Sequence, residues 1–296
     1  MSIIGMRKVS YTISSILVLS SIAALLIWGL KFGIDFTGGS LLEVEFSGAR
    51  PDQATIISTL GQVDIHGATV QPTGDRGAII RLPDLQESQH QAVLQVLRTK
   101  GDFVEKRFDS IGPTIGAELR SKSLTALVIV LLMIVLYISW AFRQVSRPMS
   151  SWKYGVAAVI ALFHDVFIPL GVFAFLGHYY GVEVDTLFVT ALLTVLGFSI
   201  QDTIVVFDRI RENLRKYGKE DFEQIVDRSI HQTIGRSINT SLTVLVVMMI
   251  LFLYGGVATK YFSLTLLLGV FFGTYSSIFI ASAILVSWYR YSLKKA

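Results

Sequence analysis

The chain has 296 residues, of which 52% are hydrophobic and 16% charged, with a formal net charge of +4. Its mean hydropathy of +0.58 excludes an ordinary soluble domain and marks a polytopic membrane protein. There is no cysteine, which excludes disulfides, thiolate metal sites and a cysteine nucleophile.

In chain order, the basic N-terminus containing Arg7 and Lys8 precedes an apolar run over 11–30. No small-residue A-x-A site closes that run, so it reads as a retained anchor and not a cleaved signal peptide. A polar segment over 31–120 follows and has its own rhythm. It opens with 33-GIDFTGGSLLEVEF-46, where Gly38-Gly39 lets the backbone turn into a strand and Asp35 can hydrogen-bond the amides of the turn. Alternation over Leu41–Phe46 predicts a strand, and Pro51 to Leu60 predicts a helix with Ile56 and Leu60 facing inward. Two strands, 68–71 and 77–82, flank a turn at Thr73-Gly74-Asp75, then a helix over 84–99 and a strand over 103–108 follow. The order βαββαβ predicts a small ferredoxin-like α+β module. After an amphipathic lead-in over 112–122, five further runs can each cross a bilayer, at 123–142, 155–177, 186–207, 239–258 and 262–286. The expected organisation is a cytoplasmic N-terminus and first span over 1–30, an extracytoplasmic α+β domain over 31–120, and a five-helix membrane domain over 121–296 with cytoplasmic loops at 143–154 and 208–238.

Charge sets the orientation. With the N-terminus inside, fifteen Lys and Arg residues fall on inner segments, and the two short outer loops near 178–185 and 255–261 hold only Lys260. Both termini are expected in the cytoplasm. Topology therefore accounts for the sequence pI of about 9.2, and nucleic-acid binding is not expected. In the outer loops, Glu183 and Asp185 read as solvated. The 208–238 stretch reads as a basic loop or an amphipathic helix lying along the membrane.

Enzyme chemistry has little to rest on. No G-x-x-x-x-G-K-[ST] loop, H-E-x-x-H pair, EF-hand loop or G-x-S-x-G elbow occurs, and the five histidines are scattered. No cofactor or metal site is expected. What the spans do contain is Asp165 and Asp202, each costing about 2.5–3.5 kcal/mol at mid-membrane, so each is expected to face the bundle interior and a partner. Ser199, Asp202 and Thr203 share a helix face, next to Gln201, and Arg236, Asn239, Thr240 and Thr243 share another at the start of the fifth span. The Arg236 guanidinium could reach Asp202, forming a pair that protonation would release. The plainer alternatives are a snorkelling, interfacial Arg236, a structural Asp202, an Asp165 that accepts hydrogen bonds without titrating, and a His164 that is merely satisfied. Gly269, Gly273, Ser277 and Ala281 form a small-residue stripe that reads as a packing face and not a site.

Five motifs in order, GIDFTGG, IGPTIGAELRSKSLTAL, ALFHDVF, GFSIQDTIVVFDRIREN and TIGRSINTSLTVL, resemble the SecF branch of the SecD/SecF family, within the resistance–nodulation–division type of transporter. The resemblance covers essentially the whole chain. It implies a six-span subunit of the Sec protein translocase in the bacterial inner membrane. Such a subunit pairs with SecD, associates with the SecYEG channel and YajC, and uses the proton-motive force to move preproteins after the ATP-driven step of SecA. It also implies that Asp202 and Arg236 occupy the family's proton-linked positions, while Asp165 and the GIDFTGG turn match motifs of less defined role. Two other functions fit the spans: a scaffold of the translocon that moves no protons, and a small-molecule or lipid exporter of the same superfamily.

Overall fold

Among the described residues of the computed structural model, 2–141 and 149–295, six helices are long and apolar enough to cross a membrane. They are Ile4–Trp28, Pro113–Ala141, Ser151–Tyr180, Thr186–Tyr217, Phe222–Tyr254 and Thr259–Lys294. Positions 142–148, with Arg143 and Arg147 and much of the expected 143–154 loop, lie outside the described residues. The elements are α1 (Arg7–Trp28), α2 (Ile34–Thr37), β1 (Gly39–Phe46), α3 (Gln53–Gly61), β2 (Thr69–Thr73), β3 (Gly77–Leu82), α4 (Glu87–Arg98), β4 (Phe103–Ile111), α5 (Pro113–Ala141), α6 (Ser151–Tyr180), α7 (Thr186–Tyr217), α8 (Phe222–Tyr254), α9 (Val257–Ser276) and α10 (Ser282–Lys295). A π turn, Ser277–Ala281, joins α9 to α10 within the last span. The chain divides into two compact units, one of Met1–Leu30, Thr125–Val182 and Leu187–Ala296, the other of Lys31–Leu124 with Glu183–Thr186.

The helical unit buries one side of α6, α7 and the last span. Its core joins Tyr154, Ala158 and Leu162 of α6 to Leu196, Phe207 and Ile210 of α7, and to Ile278, Ala281 and Leu285. Much of α5 and α8, by contrast, leaves large apolar side chains such as Leu124, Leu132, Leu242 and Val246 exposed, as helices facing hydrocarbon do. The small-residue stripe does pack closely: a Cβ on Gly269 would come within 2.1 Å of Val195 Cγ2.

The stretch 208–238, expected as a basic loop or an amphipathic helix, is helical over most of its length. α7 continues to Tyr217 and α8 starts at Phe222, so only 218–221 lies outside a helix. Apolar residues on both helices hold this extension: Phe207 and Ile210 share a core with Phe222, Val226 and Ile230. The Asn213 amide adds hydrogen bonds to Ser229 Oγ and Gln232 Oε1, both 2.8 Å.

In the other unit the four strands form one sheet in the order β2-β3-β1-β4. β1 pairs antiparallel with β3 (Leu42 opposite Ile80) and with β4 (Leu42 opposite Phe108). This is the ferredoxin-like arrangement expected from βαββαβ. Alternation puts Leu42, Val44 and Phe46 on the inner face, against Ile56 and Leu60 of α3 and Val93 and Leu97 of α4. Ile80 is fully buried in this core, so Ile80→Ala should cost about 2–5 kcal/mol and lower the denaturant midpoint at which 31–124 becomes protease-sensitive.

Asp52 caps the N-terminus of α3, its carboxylate accepting from the Thr55 amide. That bond holds the Asp52 carboxyl below the ordinary carboxylate range. The cap therefore contributes fully above the unfolded pKa of about 3.9 and is lost as pH falls through the depressed folded value. Asp52→Asn should keep the cap and remove this acid sensitivity, and Asp52→Ala should remove both. Amide exchange of α3 across an acid titration distinguishes the three proteins.

Candidate functional site

Two glycines set the geometry of the polar interior. Gly273 lets the last span approach α7 so closely that a Cβ there would lie 2.9 Å from Ser199 Cβ, and Gly269 does the same against Val195. The next turn of the last span, Thr274 to Ser277, thereby brings two hydroxyls, Thr274 and Ser276, to acids on two other helices.

Asp165 on α6 is fully buried. Its Oδ2 accepts from Ser199 Oγ and, at 2.8 Å, from Ser276 Oγ, and its Oδ1 lies 3.0 Å from His164 Nδ1. A buried carboxylate needs such partners, and this one has three. The His164 ring stacks on Tyr275, with centroids 5.9 Å apart, and its buried Nε2 has no hydrogen-bond partner among the described residues.

Asp202 on α7 is also buried, at 8% exposure, but its bonds are longer. Ser237 Oγ donates to Oδ1 at 3.2 Å and Thr274 Oγ1 to Oδ2 at 3.4 Å. The Thr274 hydroxyl also meets Ser241 Oγ at 2.5 Å and the Val270 carbonyl at 2.9 Å. Thr274 can accept from Ser241 while its single proton goes to Val270 or to Asp202, so these two acceptors compete and Asp202 lies at the longer distance. Between the acids, Ser277 bonds Thr203 Oγ1 at 2.8 Å and the Ser199 carbonyl at 3.3 Å. The stripe read as packing alone therefore also carries a polar link. Ser277 opens the π turn, a distortion that often marks functional positions. One carboxylate is held on every side and the other loosely.

The Arg236–Asp202 pair expected from spacing is not formed: among the described residues no ion pair within 4.0 Å joins them. The neighbour Ser237 occupies that place. From Thr233 onward the buried positions of α8 are Thr233, Ser237 and Ser241, and Arg236 lies about 100° around the helix from Ser237. Arg236 and Asn239 on α8 and Gln201 on α7 are exposed. Thr240, also exposed, bonds back to the Arg236 and Ser237 carbonyls at 3.0 Å. Ser199 and Thr203 sit with the acids as the shared face predicts. Ser237, Ser241, Thr274 and Ser276 escaped the sequence reading; the only signal was a cluster of hydroxyls within apolar runs.

In the other unit, Gly38 and Gly39 have φ of 75° and 124°. A Cβ on Gly38 would meet Pro113 Cα at 2.7 Å, and one on Gly39 the Leu82 carbonyl at 2.8 Å, so this turn requires glycine twice over. Asp35 does not serve the amides of its own turn. It accepts from the backbone and hydroxyl of Thr186. Glu183, read as solvated, is instead nine-tenths buried and ion-paired with Arg81 at 2.6 Å and Lys31 at 3.6 Å.

Residues 92–291 match the family described as "Protein export membrane protein SecD/SecF, C-terminal", and residues 24–49 match the "SecD/SecF GG Motif". The protein translocase subunit SecF of Thermobaculum terrenum is 46% identical over 97% of this chain and 93% of its own, and that of Anaerolinea thermophila 42% identical over 97% and 94%. A crystal structure of SecDF, a translocon-associated membrane protein from Thermus thermophilus, superposes with a TM-score of 0.84 at 31% identity. That match covers 96% of this chain but 38% of the SecDF chain. A second SecDF structure, in a super-membrane-facing form, gives 0.71 at 30% identity and spans 39% of its chain.

Proposed function

The chain belongs to the SecD/SecF family of protein export membrane proteins, and from that premise we propose that it is a proton-driven half-motor of preprotein translocation, with Asp202 as its coupling acid. It is an auxiliary subunit of Sec protein translocation and a multi-pass membrane protein. The other half is a SecD-type partner, which covers the exposed polar positions Gln201, Arg236 and Asn239. Polar side chains at this depth are costly against lipid, and a second helical half would satisfy them. The assembled pair works beside the SecYEG channel and YajC, with both termini cytoplasmic, and acts on the preprotein after the SecA step as a non-catalytic subunit.

The observation that carries this reading is the contrast between the two buried acids. Charged Asp202 draws the hydroxyl protons of Ser237 and Thr274. Once protonated it accepts more weakly, and the Thr274 proton goes to the Val270 carbonyl, its shorter contact. Proton uptake thus loosens the bond between the last span and α7, and Arg236, one residue from Ser237, senses the same change of charge. Asp165 with His164 forms a second proton-holding pair on the same seam. A potential of 100 mV supplies about 2.3 kcal/mol per charge moved, enough to bias a modest conformational preference.

The test is reconstitution with SecD and SecYEG partners in vesicles bearing an imposed proton gradient. Asp202→Asn should assemble normally and reduce export to the level seen with the gradient collapsed. Full gradient response from Asp202→Asn would leave a scaffold as the function.

A further inference from the structure

The segment between the third and fourth spans is built into the unit that contains the GIDFTGG turn. Val184 forms a parallel bridge with Phe32; its amide donates to the Lys31 carbonyl at 2.8 Å, and its carbonyl accepts from the Gly33 amide at 2.9 Å. Glu183 is clamped between Arg81 of β3 and Lys31. Asp35 Oδ2 receives both the Thr186 amide, at 2.9 Å, and the Thr186 hydroxyl, at 2.5 Å. Thr186 is the first residue of α7, so this carboxylate satisfies an N–H that no helix can bond internally and sets a negative charge at the positive end of the helix. Residues 151 positions apart thus form a helix cap in trans.

We propose that Asp35 is a positioning residue for Asp202: it fixes the start of the helix on which the acid rides and so makes α7 answer to the unit that Asp35 belongs to. α7 is unbroken from Thr186 to Tyr217, and Asp202 lies roughly 24 Å along it. A rigid helix held at its first turn transmits displacement of that turn to a side chain one bilayer-depth away. A helix with a frayed first turn absorbs it. The charge and the two donated bonds distinguish this cap from a simple turn residue, since glycine or alanine at position 35 would close the turn equally well.

The inference rests on the coupling role of Asp202, and the experiment separates the two. Asp35→Ala, Asp35→Asn, Thr186→Val and Asp202→Asn are compared in the full chain with its partners. One readout is amide exchange over 184–190, the other gradient-driven export. Asp35→Ala should speed exchange roughly tenfold, as loss of a charged cap does, and lower gradient-driven export. Asp35→Asn, which keeps an acceptor oxygen, should restore most of both, and Thr186→Val should fall between because the amide bond survives. Asp202→Asn should abolish the gradient response with exchange over 184–190 as in the wild type. Unchanged exchange in Asp35→Ala overturns the cap, and faster exchange with undiminished gradient-driven export overturns the positioning role. If Asp202→Asn keeps its gradient response, the coupling reading fails, and the cap is still decided by exchange.

Discussion

Replacing Gly171 with leucine should prevent the first and third spans from packing and leave little folded protein. A Cβ at this position would lie 2.3 Å from Ser21 Cβ and 2.4 Å from Ser21 Cα. The second of these is backbone, so no rotamer change on α1 relieves it and the helices must separate. Overpacking in a filled interior typically costs about 1–3 kcal/mol, and a clash against backbone belongs at or above the top of that range. The consequence extends beyond one contact because α1 presents Ser10, Ser14 and Ser21 as a buried small-residue line, and Tyr275 of the last span reaches the Ser10 carbonyl at 3.3 Å. Gly171→Ala should already lower the melting temperature in detergent. Ser21→Gly should recover part of that loss in the double variant, since contacting positions couple by about 0.5–3 kcal/mol. A melting temperature unchanged in Gly171→Ala would contradict the close approach of α1 and α6.

Hydropathy made the six spans legible, because about 20 apolar residues in a row have few other uses. The same criterion failed past Asp208, where the chain turns charged and α7 simply continues. A window that scores lipid contact stops at the first ionic residues, whereas a helix stops where its backbone bonds end. The residues that sustain the extension, Ile210, Asn213, Phe222 and Val226, face one another across a helical hairpin and show a period of 3.6 among charges, not a hydrophobic run. The sheet was readable from period-two alternation in 41–46. β4 runs on to Ile111, beyond the predicted end at Phe108, because pairing with β1 sustains a strand whose own residues are mostly exposed.

The acids of the site were visible for the opposite reason, as charges where charges are costly. Their partners were not. Serine and threonine within spans commonly bond their own preceding carbonyls, as Ser263 does to Thr259 and Thr265 to Tyr261, so a hydroxyl in sequence says nothing about which helix it serves. Ser237 displaced Arg236 as the contact of Asp202 through a single residue's rotation, which i+3 and i+4 bookkeeping on one helix cannot resolve without the crossing angle of the other. The Asp35–Thr186 contact was further out of reach, since nothing local to either residue names the other.

The second large effect should fall on Asp165, and the choice of replacement decides its character. Asp165→Ala removes the acceptor that holds Ser199, Ser276 and His164 together from three helices. A buried donor left unpaired costs about 1–3 kcal/mol. Ser276 has a fallback in the Gly273 carbonyl at 3.1 Å, but His164 Nδ1 has no second bond to turn to, so the net loss should be several kcal/mol, and the variant should fail to accumulate. Asp165→Asn keeps an oxygen for the two hydroxyls and offers an N–H to a neutral His164 ring, so its folded yield and melting temperature should stay near wild type. What it cannot do is gain or lose a proton. If Asp165 shares the proton traffic of Asp202, Asp165→Asn assembles with its partners yet shows a reduced response to an imposed gradient in the vesicle assay. A full response from a well-folded Asp165→Asn would make the carboxylate a brace for the last span and leave proton coupling to Asp202 alone. Normal accumulation of Asp165→Ala would show that the cluster does not hold these helices together.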